Sequence, residues 1–186
     1  PFSNFWRTTQ LEYTWLRSLM GRHKDFWQIT EDSLDKSMKV FKIKPSMRDE
    51  LLNLYKVLSP FKEVHETLKK LKEKKFKLAI LSNGTPSLLN ELVKSNNLEN
   101  LFDDIFSIEE VGVYKPNSKV YDMPVKKYKI RKDEIAFLSA NTWDVSGGGN
   151  YGYQAVWVNR NNNIFDNLDF KPKLEIKNLS GLLSKL

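Results

Sequence analysis

Four short apolar runs constrain this chain more than any other feature: "KLAILSN" (77–83), "DIFSIEE" (104–110), "IAFLSAN" (135–141) and "YQAVWVN" (153–159). Each is too short for a helix that buries itself, and none alternates apolar with polar as a strand with one wet face does. Continuous apolar strands need cover on both faces, and helices supply that cover in a parallel sheet. The stretches between the runs read as those helices. Residues 61–74 have helical spacing, with Ser59-Pro60 suited to an N-cap and the first helical position. Thr85-Pro86 opens a second helix in the same way, and "NSKVYDMPVKKY" (117–128) reads as an imperfect helix broken near Pro124. The expected class is α/β with a Rossmann-like parallel sheet core.

The first third contains no such strand. Residues 5–20, "FWRTTQLEYTWLRSLM", spread Phe5, Trp6, Leu11, Tyr13, Trp15, Leu16, Leu19 and Met20 around most of a helical wheel, and Gly21 suits a stop. So wide an apolar arc predicts burial on two sides. Thr30 can cap "EDSLDKSMKVF", with Ile29 and Leu34 at staple spacing, and Ser46 can cap "MRDELLNLYKVL". The division that follows is a helical domain over residues 1–57 and the α/β core over 58–186.

Composition closes off several function classes. With 186 residues, 40% of them hydrophobic and only 15 Gly and Pro together, the chain can bury one core with a smaller appendage. The absence of cysteine excludes disulfides, cysteine nucleophiles and thiolate metal sites, and fits a reducing, cytoplasmic setting. Two histidines, His23 and His65, argue against zinc, and no apolar run reaches the length of a membrane span. The net charge of +7 is spread along the chain; its densest run, "KKLKEKKFK" (69–77), ends a predicted helix, where cations suit the dipole. Neither nucleic acid nor membrane is expected as a partner, while a small anionic substrate is compatible with the charge.

Ligands of such sheets bind beyond the carboxyl ends of the strands. Three polar clusters stand there: Ser82-Asn83, Lys115 in "VGVYKP", and Ser139, Asn141 and Asp144 in "FLSANTWDVSGGG". Ser, Asn and Asp also populate ordinary turns and caps, so each cluster alone says little. Three at the corresponding ends of strands in one sheet point to a site.

With those clusters in place, "KLAILSNGTP", "VGVYKPNSKVY", "FLSANTWD" and "WRTTQLEYTWLRSLMGR" resemble the L-2-haloacid dehalogenases of the haloacid dehalogenase-like hydrolase superfamily, over essentially the whole chain. The resemblance makes residues 1–57 a helical cap subdomain. It implies metal-independent hydrolysis of L-2-haloacids to 2-hydroxy acids through an aspartyl ester, without a cofactor. In that mechanism Lys115 keeps the attacking carboxylate ionised, and Ser82 binds the substrate carboxylate. Ser139, Asn141 and Asp144 orient Lys115 and the hydrolytic water, with Tyr121 supporting the same network. Arg7, Asn83, Leu11, Phe26 and Trp143 surround the departing halide. A homodimer is implied too, with Leu16, Leu19 and Met20 as its contacts.

Superfamily phosphatases hold Mg²⁺ on paired carboxylates in the third cluster, where this sequence has Ser139 and Asn141 and only Asp144. A Mg²⁺-dependent phosphatase is therefore the second reading, and a non-catalytic binding protein beginning near Pro1 the third. The family's Asp-x-x-Gly-Thr nucleophile motif does not occur in the sequence. The expectation is that a nucleophile segment and first strand lie upstream, and that the chain alone is inactive and aggregation-prone. Thr8 stands where the resemblance leads one to expect glutamine, and "MPVKKY" and "SGGGN" depart from the family's usual helices. Replacing Lys115 is expected to abolish turnover without touching the fold.

Overall fold

The computed structural model describes residues 1–185. The chain packs as two compact units: residues 1–59, 82–99 and 107–114 form one, and 60–81, 100–106 and everything from Lys115 onward form the other.

In the first unit α1 (Phe2–Leu19) lies along α2 (Phe26–Val40), followed by α3 (Arg48–Leu54), with α5 (Pro86–Ser95) also in this unit. Trp6, Leu34, Met38 and Leu52 form its core, flanked by Phe2, Trp27, Ile43, Leu51 and Tyr55. The wide apolar arc of α1 does not become two buried sides. The helix buries Trp6 together with polar Thr9, Gln10 and Thr14, and leaves Leu16, Leu19 and Met20 exposed. Helix starts also differ from expectation. Asp25, not Thr30, caps α2, its carboxylate accepting the Gln28 N–H at 2.9 Å, while Thr30 sits inside the helix and donates to the Phe26 carbonyl. Ser46 falls in a short 3-10 turn, and α3 begins after Met47 without a side-chain cap.

In the second unit α4 spans Val64–Glu73, so Pro60 lies ahead of the helix instead of opening it. The Glu63 carboxylate accepts instead from Arg160 at 2.6 Å and from the Leu179 N–H at 3.3 Å. α6 (Ser118–Tyr128) is unbroken at Pro124 and ends at Lys129 in the left-handed region. An internal proline costs a helix about 3 kcal/mol, an amount that burying Val120, Tyr121 and Met123 on the same helix can offset.

The sheets follow the four apolar runs. β1 (Ala79–Ser82) pairs with β2 (Asp104–Ser107), and β3 (Ala136–Ser139), β4 (Gln154–Val158) and β5 (Leu174–Ile176) form a second, parallel sheet. Its register sets Ser139 opposite Trp157. β4, the middle strand, is buried from Ala155 to Val158, as a strand covered on both faces should be. β1 and β3 are more open, and Ala79 and Ala136 are exposed. Among the described residues β1 pairs only with β2, and β3 only with β4. α7 (Thr142–Tyr151) follows β3 directly and remains helical through its three consecutive glycines. β5 and α8 (Ser180–Leu183) complete the chain.

Candidate active site

The carboxyl end of β3 turns into α7 through Ser139 and Asn141. The Ser139 hydroxyl accepts the Asn141 N–H at 3.2 Å, closing the turn, and the Asn141 carbonyl accepts the N–H groups of Asp144 and Val145. Asp144 thereby enters the first turn of α7, where the positive end of the helix dipole favours a carboxylate. Its side chain is 4% exposed and has two partners: Lys115 Nζ donates to Oδ2 at 3.1 Å, and the Tyr121 hydroxyl donates to Oδ1 at 2.8 Å. Lys115 is itself 6% exposed and Tyr121 fully buried. The ammonium also lies 5.0 Å from the centre of the Phe137 ring, whose face attracts a cation.

Burial pushes the Lys115 ammonium below the ordinary lysine range, against the attraction of Asp144. Burial likewise raises the Tyr121 phenol, and the neighbouring Asp144 carboxylate raises it further. Tyr121 therefore remains a neutral donor. Trp143, half-buried on α7, borders an open groove of about 620 Å³ lined by Ala140, Asn141, Thr142, Asn162 and Ile164. A 2.5 Å hydrogen bond from Thr142 to Asp166 and one of 3.3 Å from the Trp157 indole to the Ala140 carbonyl hold its walls.

The helical unit carries a second set. Arg7 is exposed on α1, and its Nη1 donates to Gln10 Oε1 at 2.6 Å. Gln10 is 0% exposed; its amide donates to Thr30 Oγ1 at 2.6 Å, and the Tyr55 hydroxyl donates to its oxygen at 3.0 Å. The oxygen of this buried amide thus accepts twice and its nitrogen donates once, and the guanidinium is tied to the helix core. Leu11 is half-buried on the same helix, and Phe26 is buried at the start of α2. In the turn after β1, Ser82 Oγ accepts the Gly84 N–H at 3.1 Å, and Ser107 Oγ donates to the Gly84 carbonyl at 2.7 Å. Asn83 is half-buried in this turn.

Of the residues expected from sequence, Lys115, Tyr121 and Asp144 form one hydrogen-bonded chain, and Ser139 and Asn141 share one turn. Arg7 belongs to a network that sequence reasoning missed, centred on Gln10. Its only signal was spacing, since a glutamine three residues after an arginine can reach it on a helix.

The third cluster does not suit a divalent cation. Such an ion prefers several anionic oxygens. Here Ser139 and Asn141 are neutral, and both oxygens of the one carboxylate, Asp144, already accept from Lys115 and Tyr121. Among the described residues no three His, Asp or Glu side chains gather as potential ligands.

Comparison with known proteins gives one consistent family. Residues 4–158 match the family described as Haloacid dehalogenase-like hydrolase. The (S)-2-haloacid dehalogenase of Pseudomonas sp. strain YL is 38% identical over 97% of this chain and 79% of its own length. A dehalogenase crystal structure superposes with a TM-score of 0.96 at 33% identity, covering 100% of this chain and 83% of that one. The L-2-haloacid dehalogenase of Xanthobacter autotrophicus with covalently bound chloropropionic acid superposes with a TM-score of 0.90 at 28% identity, covering 97% and 83%.

Proposed function

We infer that this chain, which belongs to the haloacid dehalogenase-like hydrolase family, is an (S)-2-haloacid dehalogenase that hydrolyses 2-haloalkanoic acids to 2-hydroxy acids. The observation that carries this reading is the carboxylate-poor corner at the end of β3. One buried lysine there faces one buried aspartate, in place of the paired carboxylates that a Mg²⁺-dependent phosphatase uses. The phosphatase reading is correspondingly weaker.

The chemistry splits a difficult displacement into two steps. A carboxylate attacks C2, a C–O bond forms as the C–halogen bond breaks, and the electron pair leaves with the halide. Water then attacks the ester carbonyl, releasing the 2-hydroxy acid and regenerating the carboxylate. No residue of this chain is assigned the attacking role. Lys115 supplies the positive charge that keeps a nearby carboxylate ionised, and the Tyr121 and Asp144 bonds fix its direction. Ser139 and Asn141 present neutral groups for the hydrolytic water, and Ser82 takes the substrate carboxylate.

Charge leaving with the halide is received by Arg7 and Asn83, within apolar surroundings supplied by Leu11 and Phe26. Gln10 keeps the exposed Arg7 side chain in one rotamer, so less entropy is lost when the anion arrives.

In this reading residues 1–57 are the helical cap subdomain and 58–186 the core, and the cysteine-free chain works as a homodimer in the reducing cytoplasm. Leu16, Leu19 and Met20, exposed on α1, are the dimer contacts. The test is halide release by the full-length protein from the two enantiomers of 2-chloropropionate. Release from the (S) form with its hydroxy acid in equal amount supports the reading, and release of phosphate from a phosphate ester with Mg²⁺ but no halide overturns it.

A further inference from the structure

The three glycines of α7 are an anomaly for a helix. Each costs about 1 kcal/mol relative to alanine, so a run of them calls for a reason in packing. Gly147 lies three residues after Asp144, on the same face of α7. A Cβ built on it lies 2.5 Å from the Tyr121 hydroxyl oxygen, 3.1 Å from the ring carbon bearing it and 2.7 Å from Pro116 Cβ. Those two neighbours bracket the buried ion pair. Tyr121 holds one oxygen of Asp144, and Pro116 directly follows Lys115, which holds the other.

We propose that Gly147 is a positioning residue, whose missing side chain leaves the space in which Tyr121 and Pro116 fix the Asp144–Lys115 pair. This role deepens the dehalogenase reading and rests on its assignment of Lys115. An alanine at 147 adds one methyl where the hydroxyl already sits, so Tyr121 must rotate away or α7 must shift. Either movement lengthens the 2.8 Å bond to Asp144. The carboxylate then keeps only the lysine and loses its fixed orientation, and the ammonium loses its own. The other two glycines serve different contacts. A Cβ at 148 meets the Phe137 ring at 2.6 Å, and one at 149 meets the Phe170 ring. Gly149 is therefore an internal control in the same helix: it is more crowded than Gly147, but the three atoms nearest its added Cβ all belong to the Phe170 ring and none to Tyr121.

The test compares Gly147→Ala, Gly149→Ala, Tyr121→Phe, the Tyr121→Phe/Gly147→Ala double variant and Lys115→Met in the full-length protein. Halide release and thermal melting are measured for each. Gly147→Ala should lower kcat by about tenfold or more with KM little changed, because it disturbs orientation and not binding. Gly149→Ala should lower the melting temperature and leave kcat near that of the wild type. In the Tyr121→Phe background the same alanine should cost less than about threefold, since both changes break one hydrogen bond and cannot add. If Gly147→Ala does not accumulate as folded protein, its recovery on adding Tyr121→Phe carries the same information. Wild-type kcat in Gly147→Ala beside a dead Lys115→Met overturns the proposal and leaves the dehalogenase reading standing. An equal loss in Gly149→Ala, full additivity in the double variant, or no folding recovery overturns it too. An active Lys115→Met removes the assignment on which the proposal rests.

Discussion

Replacing Lys115 by methionine tests stability and catalysis through one pair of atoms. The residue lies in a loop, which from sequence suggested that its loss would spare the fold. Instead Lys115 and Asp144 are 6% and 4% exposed and bonded at 3.1 Å. Methionine has nearly the length of the lysine stem and fills most of the space it leaves, so the packing loss should stay below about 1.5 kcal/mol. The carboxylate left behind retains the Tyr121 hydroxyl but has lost its counter-charge, and an unpaired buried charge costs about 3–5 kcal/mol. Against a total stability of about 5–15 kcal/mol that is a large fraction. For a chain of this size it lowers the melting temperature by about 6–20 °C. Adding Asp144→Asn removes the stranded charge and should return most of that loss while leaving halide release abolished. Melts followed by circular dichroism, beside a halide assay, separate the two effects. A Lys115→Met protein that melts within about 2 °C of the wild type would show that the pair is not buried in the way described, and one that keeps a tenth of the activity would show that Lys115 is not catalytic.

Three further outcomes concern Gln10, the titration of Lys115 and the exposed end of α1. Gln10→Leu fills the same space but frees Arg7, Thr30 and Tyr55; it should cost about 1–2 kcal/mol in a denaturant titration and lower kcat/KM about tenfold, and an unchanged kcat/KM would detach Gln10 from Arg7's task. Burial holds Lys115 below its ordinary value of 10.5, so kcat/KM should fall with rising pH beneath that value as the ammonium is lost. Between the lowered value and 10.5 the unfolded chain binds more protons at this group than the folded one, so its contribution to stability rises with pH in that window, and an alkaline limb absent up to 10.5 would contradict the assignment. Leu19→Asp with Met20→Lys places charges where exposed apolar side chains stand, and sedimentation should show a dimer become a monomer; an unchanged sedimentation coefficient would place any interface elsewhere.

Much of the fold was legible because burial dictates composition most strongly where a strand is covered on both faces. β4 reads as a strand from "YQAVWVN" alone. β5 and α8 did not, being three and four residues long and too short to show a period. Helix starts were misread where two capping side chains compete. Thr30 has the right chemistry, yet Asp25 lies one turn earlier and captures the Gln28 N–H. Pro124 looked like a break because propensity acts locally, whereas Val120, Tyr121 and Met123 hold α6 through tertiary burial. At the candidate site Lys115 and Asp144 stood out by their places at strand ends, whereas Tyr121 and its bond to Asp144 were suggested only by the family resemblance. Gln10 was not, because a bonded buried glutamine and an exposed one have the same neighbours in sequence; the difference lies in Thr30 on α2 and Tyr55 just past α3.

In the proposed mechanism hydrolysis passes through an ester on an enzyme carboxylate, and isotope tracing separates that path from direct attack of water on C2. A single turnover of (S)-2-chloropropionate by excess full-length enzyme is run in H₂¹⁸O, and the label is located by mass spectrometry. The account predicts that the water attacks the ester carbonyl, so ¹⁸O appears in an enzyme carboxylate and the 2-hydroxy acid formed in that turnover carries none. Label in the product hydroxyl after one turnover, with an unlabelled protein, would mean that water attacks C2 directly and would contradict it.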